Sequence, residues 1–300
     1  NRVDAIGINP QEHIGPVRMR SVLNQAAERN IERRFSEIEI LSDGNAIISK
    51  VTRHMSVFSK SDLVRAVKII EDSVEKEKLV QQALADKSII ELFKENGSKT
   101  GYFTTEEIRQ EEKKILRLAD YVITGSSNNF IKNREVAKLS SSLIARSRDN
   151  LTEEQHQALT EIVTTDKALH ILRGRAGVGK SHVLRQVAEI AKAVNINVIG
   201  LSPTHKAKEA LKSNGFERTD TVKGMLFRLH NAKFDLPTDS LLVVDEAGMI
   251  GNDDYQELLR VAATRKCQLI LAGDERQLAS VQRGGMFEVF AEKYGSSTIL

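Results

Sequence analysis

Residues 168–181 of this 300-residue chain read ALHILRGRAGVGKS. The apolar run Ala168–Leu172 predicts a buried strand, and Ser181–Asn195 predicts a helix with one apolar face. Between them, Gly174-Arg175-Ala176-Gly177-Val178-Gly179-Lys180-Ser181 matches the phosphate-loop pattern G-x-x-x-x-G-K-S/T at every fixed position. A strand, a glycine-rich loop and a helix in this order predict a unit that binds a nucleotide.

Each residue type in this loop suits a phosphate group. Glycines let backbone N–H groups approach phosphate oxygens without a Cβ in the way, and the helix N-terminus adds partial positive charge. Lys180 is expected to contact the β- and γ-phosphates, and the Ser181 hydroxyl is expected to bind Mg²⁺. The sequence therefore predicts ATP and Mg²⁺ as ligands. A tight turn between strand and helix is the structural alternative, but such a turn does not need Lys-Ser at its end.

Short apolar runs alternate with helical segments after the loop. The predicted strands are Ala168–Leu172, Val198–Leu201, Leu241–Val244, Leu269–Ala272 and a further one starting at Ser297. The predicted helices among them are Ser181–Asn195, 205–213 and 253–264. Strands alternating with helices predict an α/β fold, in which helices cover both faces of a parallel sheet.

Acidic residues follow two of these strands. Asp245 and Glu246 come directly after Leu241–Val244, where a carboxylate can hold Mg²⁺ and a neighbouring one can accept a proton from water. Asp274 and Gln277 follow the next strand, on the ligand side of a parallel sheet, and Gln277 is a candidate sensor of the γ-phosphate. Solvated acidic strand ends and an ordinary helix-capping loop are the alternatives.

The first half of the chain has no such alternation. Residues 61–150 predict helices, with an apolar stripe at Leu63, Val67, Ile70 and Val74 and a capping box formed by Thr104 and Glu107. We expect a linker or tail at 1–50, a helical domain at 51–150 and the nucleotide-binding domain at 151–300.

Composition limits the classes of function. The net charge of +3 (44 basic minus 41 acidic residues) is too small to indicate nucleic-acid binding by itself. No apolar run approaches the roughly 20 residues of a membrane helix, and the single cysteine, Cys267, cannot form an internal disulfide. Without a visible targeting signal, the expected location is cytoplasmic.

Several blocks together resemble the first motor domain of superfamily 1 helicases of the RecD-like branch. The blocks are Gly174–Ser181, Pro203-Thr204-His205-Lys206-Ala207, Thr221-Val222, Asp245-Glu246-Ala247-Gly248-Met249 and Gly273-Asp274-x-x-Gln277-Leu278-x-x-Val281-x-x-Gly284. The Asp-Glu-Ala-Gly-Met form is similar to the TraA-type conjugal relaxase-helicases. The resemblance implies a RecA-like fold for 151–300, preceded by a mainly helical region.

The resemblance also implies roles for residues that the loop pattern leaves open. Asp274 and Gln277 would couple nucleotide state to the grip on DNA, and Gln155 would contact adenine, although Thr152-x-x-Gln155 is equally a capping box. The predicted contacts to single-stranded DNA are Pro203, Thr204, His205, Lys206 and Thr221. A solvated helix face is the alternative for Lys206.

In this family, ATP hydrolysis drives 5′-to-3′ movement on single-stranded DNA. The resemblance implies a relaxase region before residue 1 and a second motor domain, with transition-state arginines, after residue 300. We therefore expect a fragment without nicking activity, monomeric, with relaxosome or other conjugation proteins as partners. A non-catalytic module that binds DNA or a partner in response to nucleotide is the alternative, and another P-loop enzyme such as a GTPase is disfavoured because the Asn-Lys-x-Asp motif is absent.

Overall fold

The computed structural model describes residues 44–94, 97–126, 129–274 and 285–299. Within these ranges the chain forms two compact units. The first comprises the residues up to Thr52 together with Val57–Thr104, and the second comprises Arg53–Ser56 and the residues from Thr105 onward. The tail predicted at 1–50 lies outside the described residues up to position 43.

The first unit is mostly helical and contains a small sheet. Its elements are α1 Gly44–Thr52, β1 Phe58–Ser59, α2 Lys60–Ala66, α3 Ser73–Leu84, β2 Ile89–Phe93 and β3 Lys99–Thr105. The strands lie in the order β1-β3-β2, and β1 pairs antiparallel with β3. Ile47, Phe58, Leu63 and Val80 are among the fully buried core residues.

The predicted apolar stripe in this region is wrong in detail. The stripe from Leu63 to Val74 does not lie on one helix, because α2 ends at Ala66 and Val74 is 77% exposed. Asp72 starts α3 instead, since its carboxylate accepts the backbone N–H groups of Val74 and Glu75 at 2.7 and 3.0 Å.

The helical prediction for 61–150 also missed β2 and β3. Short apolar runs such as Ile89–Phe93 do not distinguish strand from helix by periodicity. The next helix is capped by Thr105 rather than Thr104, because the Thr105 hydroxyl accepts the N–H of Ile108 at 3.2 Å.

The second unit is built on six parallel strands in the order β6-β5-β7-β8-β4-β9. The strands are β4 Leu169–Gly174, β5 Val198–Ser202, β6 Thr219–Thr221, β7 Leu241–Val244, β8 Gln268–Gly273 and β9 Ser297–Ile299. All five predicted strands are confirmed, and β6 is additional.

Helices cover both faces of this sheet. They are α4 Glu106–Gly125, α5 Arg134–Ser147, α6 Glu153–Thr164, α7 Lys180–Ala193, α8 His205–Ser213, α9 Val222–His230, α10 Asn252–Arg265 and α11 Met286–Tyr294. Side chains of β7 alternate between two cores: Leu242 and Val244 join one, whereas Leu241 and Val243 join the other. The predicted α/β fold with a parallel sheet and helices on both faces is therefore confirmed.

Helix α4 belongs to the second unit although it precedes residue 151. Its Ile115, Ala119 and Val122 are buried in the same core as Tyr255 and Leu258 of α10. The domain boundaries at 50 and 150 stay predictions. The division between the two compact units falls after Thr104, except that Arg53–Ser56 groups with the second unit. None of the helices in the described ranges combines the length and apolarity that crossing a bilayer requires.

A buried histidine in β4 makes the stability of this unit sensitive to acid. Burial lowers the pKa of His170 to about 4, and its Nε2 lies 3.0 Å from the Lys167 carbonyl oxygen. In the unfolded chain this histidine has an ordinary pKa of about 6.5, so it binds a proton at a higher pH than in the folded chain. The free energy of unfolding should therefore decrease between pH 6.5 and 4, by about 3 kcal/mol from this residue.

Urea unfolding at pH 7 and pH 4.5 measures this effect. The His170→Gln variant should lose the larger part of the pH dependence, while the exposed His54→Gln variant should retain it. An unchanged pH dependence in His170→Gln would contradict the assignment.

Candidate functional site

The phosphate loop joins β4 to α7 and contains two glycines in left-handed conformation. Gly177 has a φ of +87° and Gly179 a φ of +94°, which residues with a Cβ rarely adopt. Gly179 is the N-cap of α7, so the first N–H groups of the helix lack intrahelical acceptors at the loop. This is the geometry that favours an anion.

Lys180 begins α7, and its ammonium group folds back over the loop. Its Nζ donates to the carbonyl oxygens of Gly174 at 2.5 Å and of Arg175 at 2.9 Å. Burial lowers the pKa of this half-buried lysine. Binding of a phosphate at Nζ would replace these carbonyl oxygens with phosphate oxygens.

Three carboxylates from the ends of β7 and β8 act on Lys180. The negative charges of Asp245, Asp274 and Glu246 each raise its pKa against the effect of burial. The phosphate loop and both acidic strand ends therefore lie at one edge of the sheet, as the positions of the residues after parallel strands predict.

Asp245 and Glu246 are both shifted toward protonation. Burial raises the pKa of Asp245, and its carboxylate accepts the Glu246 N–H at 2.9 Å. Burial and the negative charge of Asp245 raise the pKa of Glu246, while Lys206 and Lys180 lower it. A raised pKa brings a carboxylate closer to the value at which it accepts a proton effectively near neutral pH.

Asp274 contacts the phosphate loop directly. Its carboxylate accepts the backbone N–H of Ala176 at 3.0 Å, and the residue is 7% exposed. A carboxylate oxygen thus occupies a loop donor that an anion can use. Whether Asp274 also binds nucleotide, as the family resemblance implies, stays a prediction.

Gln155 is held between its own helix cap and the phosphate loop. Its Oε1 accepts the Thr152 N–H at 3.2 Å and its backbone N–H donates to the Thr152 hydroxyl at 3.3 Å, so the predicted capping box is present. The Nε2 group donates to the Val178 carbonyl oxygen at 2.9 Å. A Cβ on Gly179 would lie 2.3 Å from Nε2, so the glycine is needed for this contact.

The adenine contact of Gln155 can be tested separately from this loop contact. We expect Gln155→Ala to weaken ATP binding about tenfold and GTP binding less, because an amide that reads adenine favours ATP. Titration of a fluorescent analogue of each nucleotide measures both affinities. The matched control is Gln157→Ala, an exposed glutamine on the same helix. Equal losses for ATP and GTP would mean that Gln155 only supports the loop.

The predicted DNA contacts lie directly after β5 and at the last residue of β6, at the same edge as the phosphate loop. Thr204 caps α8 through the Ala207 N–H at 3.2 Å, and its neighbours His205 and Lys206 are exposed. Pro203 is partly exposed. Thr221 is buried and caps α9, with its hydroxyl accepting the Gly224 N–H at 3.0 Å. Their contacts with DNA stay predictions.

The residues predicted to hold Mg²⁺ fit that ion. Ser181 adjoins Lys180 at the helix start, and the charge of Asp245 acts on the same lysine. Mg²⁺ typically takes one or two protein oxygen ligands together with phosphate oxygens and water. No group of three His, Cys, Asp or Glu side chains placed to hold a metal ion occurs among the described residues.

The sequence did not predict Tyr255, which is fully buried and donates its hydroxyl to the Ala247 carbonyl oxygen at 2.7 Å. The one sequence signal for this contact is that Tyr255 comes eight residues after Ala247, which follows the acidic pair. Gln277, the predicted γ-phosphate sensor, lies outside the described residues, as do Leu278, Val281 and Gly284.

Comparisons with known proteins agree with these features. The AAA domain family matches residues 150–299. Conjugal transfer protein TraA of Rhizobium radiobacter is 21% identical over 308 aligned residues, covering 97% of this chain and 27% of TraA. Multifunctional conjugation protein TraI of Escherichia coli strain K12 is 27% identical over 204 residues, covering 64% of this chain and 11% of TraI.

A third relative is an ATP-dependent DNA helicase. The RecD2 DNA helicase of Deinococcus radiodurans is 33% identical over 145 residues, covering 46% of this chain and 20% of that protein. The chain therefore spans between 11% and 27% of the length of these three relatives.

Proposed function

Since this chain belongs to the AAA domain family, we propose that its second unit is the first motor domain of an ATP-dependent DNA helicase of the superfamily 1, RecD-like, TraA type. The similarity to TraA, TraI and RecD2 supports this proposal. In the full protein, ATP hydrolysis would drive movement along single-stranded DNA in the 5′-to-3′ direction.

One observation carries the proposal. The ammonium group of Lys180 lies on the phosphate loop and within electrostatic range of Asp245, Glu246 and Asp274, which come from two other strand ends. This combines a phosphate-binding cation, a metal-binding carboxylate and a candidate general base at one edge. Such a set performs phosphoryl transfer to water by positioning and electrostatics.

The residues divide this chemistry among them. The loop N–H groups and Lys180 bind the phosphates, and Ser181 and Asp245 hold Mg²⁺, which when bound neutralises charge on the phosphate oxygens. Glu246 orients the attacking water and accepts its proton. Gln277 is assigned the sensing of the γ-phosphate, and Gln155 the adenine.

The DNA contacts are assigned to residues directly after β5 and at the end of β6. Pro203, Thr204, His205, Lys206 and Thr221 would contact phosphates and sugars without reading sequence. The positive charge of Lys206 lowers the pKa of Glu246, so DNA bound at Lys206 alters the electrostatics of the hydrolytic carboxylate. Further parts of the proposal are a monomer, a cytoplasmic location and partners among the relaxosome or conjugation proteins.

Steady-state ATP hydrolysis by the 300-residue chain, with and without a long single-stranded oligonucleotide, tests the proposal. We expect magnesium-dependent hydrolysis that the oligonucleotide stimulates. Magnesium-dependent ATP binding without turnover would favour the alternative, a module that binds DNA or a partner in response to nucleotide. Absence of ATP binding would contradict both.

A further inference from the structure

The candidate general base has a backbone conformation that a glutamate does not favour. Glu246 has φ +55° and ψ +35°, in the left-handed region. This conformation is unfavourable for a residue with a Cβ and persists only where the surroundings hold it. Contacts that hold the following turn, Ala247–Met249, therefore determine where the Glu246 carboxylate points.

The turn is held on one side by the end of β8. A Cβ on Gly273 would lie 3.1 Å from the Gly248 nitrogen, and a Cβ on Gly248 would lie 3.3 Å from the Asp274 carbonyl oxygen. Two glycines thus allow the backbones of the turn and of β8 to approach each other closely.

On its other side the turn is held by Tyr255 of α10. The Tyr255 hydroxyl donates to the Ala247 carbonyl oxygen at 2.7 Å, and the same oxygen accepts the Ile250 N–H at 3.1 Å. Tyr255 is fully buried, so this bond is shielded from water.

An aromatic contact fixes the Tyr255 ring in turn. Phe290 of α11 packs edge-on against it, with ring centroids 5.3 Å apart at 80°. Phe287 of the same helix lies against Gly273, since a Cβ there would be 3.0 Å from its ring. Helix α11 therefore supports both the tyrosine and the strand end beside the turn.

We propose that Tyr255 is a positioning residue for Glu246, because its hydroxyl holds the Ala247 carbonyl that fixes the turn after the left-handed glutamate. Tyr255 touches neither nucleotide nor water in this role and acts through the backbone alone. The inference rests on the proposed function as far as Glu246 serves hydrolysis, whereas the restraint on the turn is independent of it.

The test compares Tyr255→Phe with Tyr294→Phe. The first variant keeps the packed ring and loses only the hydroxyl. The second removes the hydroxyl of Tyr294, whose ring packs on the other side of Phe290. That hydroxyl lies 2.8 Å from the Asp120 carboxylate and 3.2 Å from the Leu116 carbonyl oxygen. Thermal unfolding verifies that both variants fold, and two measurements then follow on the 300-residue chain.

Amide hydrogen exchange at Met249 and Ile250 reports the turn, and ATPase kinetics report the consequence. In Tyr255→Phe we expect exchange about fivefold faster at both amides and kcat about fivefold lower, with KM for ATP unchanged within about twofold. Tyr294→Phe should match the wild type in both measurements. Because exchange needs no turnover, a wild-type chain that hydrolyses no ATP would count against the proposed function only. If both exchange and kcat are unchanged in Tyr255→Phe, the inference is overturned. If the wild type has no turnover, unchanged exchange by itself overturns it.

Discussion

The Glu246→Gln variant should hydrolyse MgATP about two to four orders of magnitude more slowly than the wild type, while binding it with nearly the same affinity. Glutamine has the same shape, but its amide cannot accept a proton from the attacking water. The carboxylate suits this task because burial and the charge of Asp245 raise its pKa. Phosphate release over time measures the hydrolysis rate, and a separate nucleotide titration measures the affinity for MgATP.

The pH dependence of the wild type gives an independent reading of the same residue. The active form is the carboxylate, so the rate should fall as the pH decreases through the raised pKa of Glu246, above the usual range of a glutamate. Glu246→Gln should lose the part of this dependence that Glu246 causes, whereas Asp245, whose pKa burial also raises, keeps its part. Glu189→Gln, an exposed glutamate on α7, serves as the matched control. Wild-type turnover in Glu246→Gln would show that Glu246 is only a solvated strand end.

The second large effect is expected from Lys180→Ala, which should abolish detectable binding of ATP. The ammonium group supplies the cation at the loop, and its charge is stabilised there by three carboxylates. Without it those carboxylates would face the phosphates uncompensated, so an affinity loss of at least about a hundredfold is expected. Isothermal titration with MgATP measures it.

Lys192 provides the control, because it is the same residue type at the other end of the same helix. Lys192 forms an exposed ion pair with Glu217, and such pairs contribute little to stability because water and salt screen them. Lys192→Ala should therefore bind MgATP like the wild type. Retained ATP binding in Lys180→Ala would refute the assignment of the phosphate loop.

Local sequence was sufficient to predict most strands of the parallel sheet. Leu241–Val244 and Leu269–Ala272 are apolar throughout, which is typical of strands buried on both faces. The strand β6 was missed because Thr219-Asp220-Thr221 contains no apolar residue. In the first unit, the apolar spacing continues from Leu63 to Val74, but the hydrogen bonds that Asp72 accepts start a new helix within it.

The candidate site shows where sequence patterns stop being informative. The loop pattern identifies Lys180 and Ser181, but it does not show that Gln155 bonds Val178, 23 positions away, or that Ala176 bonds Asp274, 98 positions away. Such partners depend on which strands become neighbours. The role of Gln277 rests on family resemblance alone and stays a prediction.

The strand order has a consequence for synthesis on the ribosome. The neighbours of β4 in the sheet are β8 and β9, and Leu169 pairs with Leu269, 100 positions later. While residues 175–267 are being translated, β4 and the phosphate loop have no partner strand on either side. An apolar strand with two free edges is prone to misassociation. The nascent chain therefore cannot complete its nucleotide site until nearly the whole unit has emerged.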